Sequence, residues 1–90
     1  MLQDDIESRL KTFKVGHDIT YKEFLKIFEE ALEAVGANLN SLQPRQKGSH
    51  IVYHQEGRKS FTTVKPHGKK DVIRPKVANE WIMSAANFAK

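Results

Sequence analysis

The chain contains no cysteine. That rules out a disulfide framework and any thiolate zinc site. It agrees with a reducing compartment, so we expect a cytoplasmic protein. No apolar run approaches the roughly 20 residues that a membrane span needs. The start, Met1-Leu2-Gln3-Asp4-Asp5, is acidic and lacks the positive beginning and apolar centre of a signal peptide. A soluble protein with no membrane partner is therefore expected. Proline is scarce at three residues and glycine at five. There is no Gly-rich phosphate loop and no Gly-x-Ser-x-Gly elbow. No carboxylate cluster accompanies the four histidines. A metal site is thus not expected, nor is a cofactor.

Acidic residues are also scarce in one part of the chain. Residues 41–90 hold ten Lys/Arg against three Asp/Glu, a net of +7, whereas residues 1–40 hold five against eight, a net of −3. Such asymmetry points either to a polyanion partner for the second half or to a solvated basic face. Ninety residues make one domain with one modest core.

Hydrophobic periodicity divides that domain. Residues 4–14 carry Leu2, Ile6, Leu10 and Phe13 or Lys14 at helical spacing, with Gly16 as the expected terminator. Thr20 and Glu23 form a capping box, and Tyr21, Phe24, Leu25, Phe28, Leu32 and Val35 make one apolar stripe closed by Gly36. The stripe is core, not a ligand box. From Asn38 the period changes. Asn38 to Gln43 is expected as a short strand that Pro44 ends or confines to an edge. His50 to Gln55 and Lys59 to Lys65 are stronger strands, joined through Glu56-Gly57-Arg58 as a hairpin. Pro66-His67-Gly68 breaks the second of them. A last helix is expected from Pro75 to Phe88, burying Val77, Trp81, Ile82, Ala85 and Phe88. A small sheet with helices on one face buries all these stripes together.

The chemistry concentrates in Arg45-Gln46-Lys47-Gly48-Ser49-His50. A basic segment runs into a Gly-Ser turn that delivers an imidazole to the mouth of a strand. Glycine lets the chain turn sharply and lets a phosphate approach. Free imidazole titrates near ~6.5, so it can take or give a proton at neutral pH. RNA supplies its own nucleophile, the 2′-hydroxyl. Cleaving it requires a base for that hydroxyl, an acid for the leaving 5′-oxygen and cations for the phosphorane. His50 with Lys47, Arg45, Lys69 and Lys70 meets most of this. A lone histidine beside a turn is more often a plain surface residue. Pro66-His67-Gly68-Lys69-Lys70-Asp71 reads as an ordinary polar turn or as a phosphate clamp. His67 is a second proton-transfer group if the fold brings it beside His50. His54 shares a strand face with His50 but lies about 13 Å away, too far to share a metal. His17 sits in a loop and is given no role.

Gln46-Lys47-Gly48-Ser49-His50, the strand Ile51-Val52-Tyr53, the hairpin Glu56-Gly57-Arg58-Lys59 and the loop Pro66 to Asp71 together resemble the HicA toxins of bacterial toxin–antitoxin systems. The resemblance covers roughly residues 21 to 86. It implies an α+β fold like the double-stranded-RNA-binding domain, α-β-β-β-α, here with an extra N-terminal helix and a three-stranded antiparallel sheet. It divides the chain into an extension, 1–19, and a HicA-like domain, 20–90. It implies an mRNA interferase, a metal-independent endoribonuclease, with His50 as catalytic histidine and Arg45, Lys47, Gly48, Ser49, Lys69 and Lys70 on the RNA. It implies a HicB-type antitoxin that occludes the site, and it places the first strand before Pro44. The sequence departs from the family pattern in residues 1–19, in Ile51 where a second histidine often stands, and in Arg74-Pro75-Lys76 leading the last helix. Two other readings remain: a non-catalytic RNA-binding module, and a protein-interaction partner that inherited the fold.

Overall fold

The computed structural model describes residues 3–64 and 72–89. Within them, helix α1 spans Gln3–Lys11 and α2 spans Tyr21–Ala34. A 3₁₀ turn, Leu39–Ser41, leads into strands β1, Gln43–Lys47, β2, His50–His54, and β3, Phe61–Val64. Helix α3, Pro75–Met83, runs on into a second 3₁₀ segment, Ser84–Phe88. The strands form one antiparallel sheet in the order β1-β2-β3. This is the α+β order α-β-β-β-α preceded by one further helix. No helix among the described residues is long and apolar enough to cross a membrane.

The ends of α2 follow from its sequence. The Glu23 N–H donates to Thr20 Oγ1 at 3.1 Å, and the Thr20 hydroxyl donates to Glu23 Oε1 at 3.1 Å. At the other end Gly36 takes φ +84°, and the N–H groups of Gly36 and Ala37 bond back to the carbonyls of Glu33 and Leu32. That is a Schellman closure, which needs a left-handed residue at the Gly36 position. Between the caps, Tyr21, Phe24, Phe28, Ala31 and Leu32 are buried, and Leu25 is half-buried.

Five expectations are corrected. Helix α1 stops at Lys11, short of Lys14. Thr12, Phe13 and Lys14 bond three residues back instead of four, and the Thr12 hydroxyl takes the Arg9 carbonyl at 2.7 Å. Gly16 is not the terminator, since it lies beyond that turn and its φ is not positive. The first strand lies at Gln43–Lys47, not Asn38–Gln43. Asn38 instead caps the 3₁₀ turn, accepting the Asn40 N–H at 2.8 Å on its side chain. Pro44 falls within β1 because β1 is an edge strand, where a missing N–H is tolerated. The last helix changes to 3₁₀ at Ser84, whose hydroxyl bonds back to the Glu80 carbonyl at 3.2 Å. It also turns a different face inward. Ala78, Ile82, Ala85 and Phe88 are buried, Trp81 is half-buried, and Val77 is exposed. A small Ala78 lets the helix approach the core closely, and that choice swings Val77 outward.

All helices pack on one side of the sheet. An aromatic chain fills that side. Phe24 and Phe28 stack at 5.5 Å between centroids, Phe28 meets Phe61 edge-on at 5.1 Å, and Tyr53 stacks on Phe61 at 5.4 Å. Trp81 closes on Phe24 at 5.3 Å. Helix α1 adds Ile6 and Leu10 to the same core. The segment after α1 is stitched to the segment around α3. Ile19 and Ile73 exchange backbone bonds of 3.1 and 2.7 Å. The Asn79 amide brackets Val15, accepting its N–H at 2.8 Å and donating to its carbonyl at 3.1 Å.

Candidate nucleic-acid interface

The basic segment Arg45-Gln46-Lys47 is itself strand β1, and Gly48-Ser49 is the two-residue turn of a hairpin with β2. Lys47 and His50 are the closing pair. Gly48 takes φ +62° while Ser49 does not have positive φ, which is the pattern of a type II′ turn. A Cβ at Gly48 would meet nothing within 4 Å. The glycine is therefore required by backbone conformation and not by crowding. Gln46 Nε2 bonds the Gly48 carbonyl at 3.2 Å across the turn.

Strand alternation then decides which side chains meet. In β2, Ile51 and Tyr53 are buried against the helices, so His50, Val52 and His54 face the other way. Cross-strand register adds Lys47 opposite His50, Arg45 opposite Val52 and Gln43 opposite His54. From β3 it adds Val64 opposite His50 and Thr62 opposite Val52. Among the described residues no helix covers this face. His50, Lys47, Arg45, Thr62 and Val64 are all exposed, and every residue of β1 is exposed. Directly opposed side chains have Cβ atoms about 5 Å apart, so Lys47 and Val64 flank the His50 ring. Arg45 lies one diagonal step away.

Of the residues expected in the site, the structure gathers Arg45, Lys47, Gly48, Ser49 and His50 on this hairpin. Lys69, Lys70 and His67 lie outside the described residues. His17 is exposed in the loop after α1. Among the described residues, no three His, Cys, Asp or Glu side chains gather as a metal site. The other arginines are tied elsewhere: Arg9 to the Ala34 carbonyl at 3.1 Å, Arg58 to the Ala89 carbonyl at 2.7 Å, and Arg74 to Asp18 at 3.6 Å. Arg45 and Lys47 have no acidic partner among the described residues. Their charge is open to solvent.

Beneath the hairpin runs a buried chain of hydroxyls. Tyr53 Oη lies 3.0 Å from Tyr21 Oη, which lies 2.8 Å from Thr63 Oγ1, and Thr63 donates to the Ile51 carbonyl at 3.4 Å. With the Thr63 proton on Ile51, Tyr21 donates to Thr63 and Tyr53 donates to Tyr21. Burial, followed by the bond to Tyr21, pushes the Tyr53 phenol well above its ordinary value. This chain fastens α2 to the strand that begins with His50. Sequence reading missed it, and it missed that β1 lends its cations to a sheet face. Period-two alternation through His50, Val52 and His54 was the available signal for the face.

A family model described as the HicA toxin of bacterial toxin–antitoxin systems matches residues 21–77. The chain belongs to the HicA toxin family. Searches of the curated proteins and of the solved structures give no match. As a HicA-family toxin, the chain carries its family match over α2, the whole sheet and the first turn of α3, so the exposed hairpin with His50 lies inside it. Helix α1 lies before the matched range yet shares its core.

Proposed function

We propose that this HicA-family toxin is an endoribonuclease and that His50 is its proton-transfer group. The observation that carries the reading is the uncovered sheet face, where the exposed His50 ring stands beside Lys47 with Arg45 next along β1. Lys47 and Arg45 hold the RNA backbone, and Gly48 and Ser49 shape the turn that brings a phosphate to the imidazole. Lys69 and Lys70 supply further cations, and His67 is the candidate second proton carrier. His50 accepts the 2′-hydroxyl proton as that oxygen attacks phosphorus. The phosphorus–5′-oxygen bond breaks, the 5′-oxygen takes a proton, and a 2′,3′-cyclic phosphate and a 5′-hydroxyl result. His54 lies about 13 Å along the strand, out of reach of the same phosphate. The leaving-group proton therefore comes from Lys47, His67 or water. No cofactor enters this scheme. The cellular substrate is mRNA in the cytoplasm, and a HicB-type antitoxin silences the toxin by covering this face. Residues 1–19 act as a helical extension of the domain formed by 20–90.

The test is His50→Ala. The variant should lose RNA cleavage while keeping its melting temperature and its RNA affinity. Cleavage at the parental rate would remove His50 from the mechanism. A second reading, RNA binding without catalysis, draws on the same face, because among the described residues His50 is the one imidazole beside Lys47. RNA that stays intact while the parental protein saturates it would favour that reading.

A further inference from the structure

Three large apolar side chains stand most open to solvent among the described residues: Val64 at 45%, Val72 at 41% and Val77 at 37% exposure. They come from three successive parts of the chain, the end of β3, the segment before α3 and the first turn of α3, and all three line one hollow of about 300 Å³. Ile73, Arg74 and Trp81 complete its wall. Val64 is also the direct cross-strand neighbour of His50 on the uncovered face. The hollow therefore begins where the proposed cleavage site ends.

We infer that this hollow seats one nucleobase of the RNA strand whose phosphate lies at His50. The inference rests on the RNA-cleaving reading of that face and deepens it. A nucleobase has two apolar faces and a polar edge. Valine methyls and an indole suit the faces, as aromatic and apolar walls do wherever unstacked bases are held. The edge requires a polar group at the rim, and Arg74 provides one. Its side chain is 79% exposed, and its ion pair with Asp18 at 3.6 Å is screened by solvent. The guanidinium can exchange that weak pair for a base edge or the next phosphate. The charge pattern fits as well. Lys47 and Arg45 lie on the β1 side of His50, and the apolar hollow lies on the β3 side. A strand crossing the sheet would lay its backbone on the first and drop a base into the second.

Trp81 is the only tryptophan of the chain, so its fluorescence reports on this hollow directly. The full chain carrying His50→Ala is titrated with a short RNA and with a series of the same RNA bearing a single abasic site at each position in turn. Binding is read independently by gel shift. The intact RNA should quench Trp81. One abasic position should abolish the quenching and weaken binding by roughly 5- to 150-fold, the range for one stacked base. If RNA binds but Trp81 emission does not change, or if every abasic RNA quenches like the intact one, the hollow holds no base and the His50 reading survives. If no RNA shifts at all, both fail. If emission changes only when the antitoxin is added, the hollow belongs to a protein interface and the inference is overturned.

Discussion

Tyr21→Phe tests the link between the core and the hairpin. The substitution keeps the ring, which is tilted against Phe24 at 5.8 Å, and removes one oxygen. That oxygen serves two neighbours, Tyr53 at 3.0 Å and Thr63 at 2.8 Å. Thr63 is fully buried and keeps its donation to Ile51, but it loses the proton it accepts. Tyr53 is 5% exposed and is left with a donor that has no acceptor. A typical bond is worth about 1 kcal/mol, and an orphaned buried group costs about 1–3 kcal/mol, so the loss should be about 2–4 kcal/mol. For a domain of this size each kcal/mol lowers the melting temperature by roughly 4–8 °C, which places the fall at roughly 8–32 °C. Tyr53→Phe breaks one bond and strands nothing, so it should cost about 1 kcal/mol. In the double variant the second substitution has less to remove, so the pair should be sub-additive by about 1 kcal/mol. Urea unfolding followed by Trp81 fluorescence and far-ultraviolet circular dichroism measures all three variants. A Tyr21→Phe loss below about 0.5 kcal/mol, or simple additivity, would show that the hydroxyl chain does not hold the sheet.

Gly48→Ala should cost about 1–2 kcal/mol from positive φ alone, since its methyl meets nothing, and equilibrium unfolding measures it. Leu10→Ala should cost about 2–5 kcal/mol, because Leu10 is fully buried although it precedes the family match; a loss under 1 kcal/mol would place α1 outside the cooperative unit. Tyr53 has its folded-state pKa raised, so its contribution to stability is complete below the unfolded value of about 10 and is lost as pH climbs above it. Melting curves between pH 8 and 11.5 should therefore fall less steeply at the alkaline end for Tyr53→Phe than for the parent. Lys47→Ala and Arg45→Ala should each reduce the slope of log affinity against log salt by about 0.7 for single-stranded RNA, and an unchanged slope would take that cation off the phosphates.

Much of this fold was legible because its signals are local. The capping box at Thr20 and Glu23, the closure at Gly36 and the stripe along α2 each depend on residues within a turn or two of one another. So do the Gly57 hairpin, where φ is +77°, and the Gly-Ser turn before His50. The misplaced elements were settled at longer range. Gln43-Pro44-Arg45-Gln46-Lys47 has little strand character of its own and buries nothing. It is a strand because β2 offers a free edge in register with it. Val77 looked like core by spacing. It lost that place when Ala78, one position on, offered the shorter approach to α2. The Ile19–Ile73 bridge and the Asn79 bracket on Val15 join residues more than fifty positions apart, beyond any local pattern.

The same distinction explains why the candidate site could be found before the fold was known. The sheet has one face committed to the helices, and on it Ile51, Tyr53 and Thr63 are chosen by packing. On the other face no described element packs, and His50, Lys47 and Arg45 are exposed there, so their identity is not dictated by packing. Three polar residues of that kind, grouped on one turn with a glycine whose dihedral only a glycine readily adopts, are what the proposed RNA contact would use. Replacing them should therefore be cheap in folding and costly in function. The reverse should hold for Tyr21 and Thr63, which are buried on the helix side of the sheet and act by keeping β2 where it is.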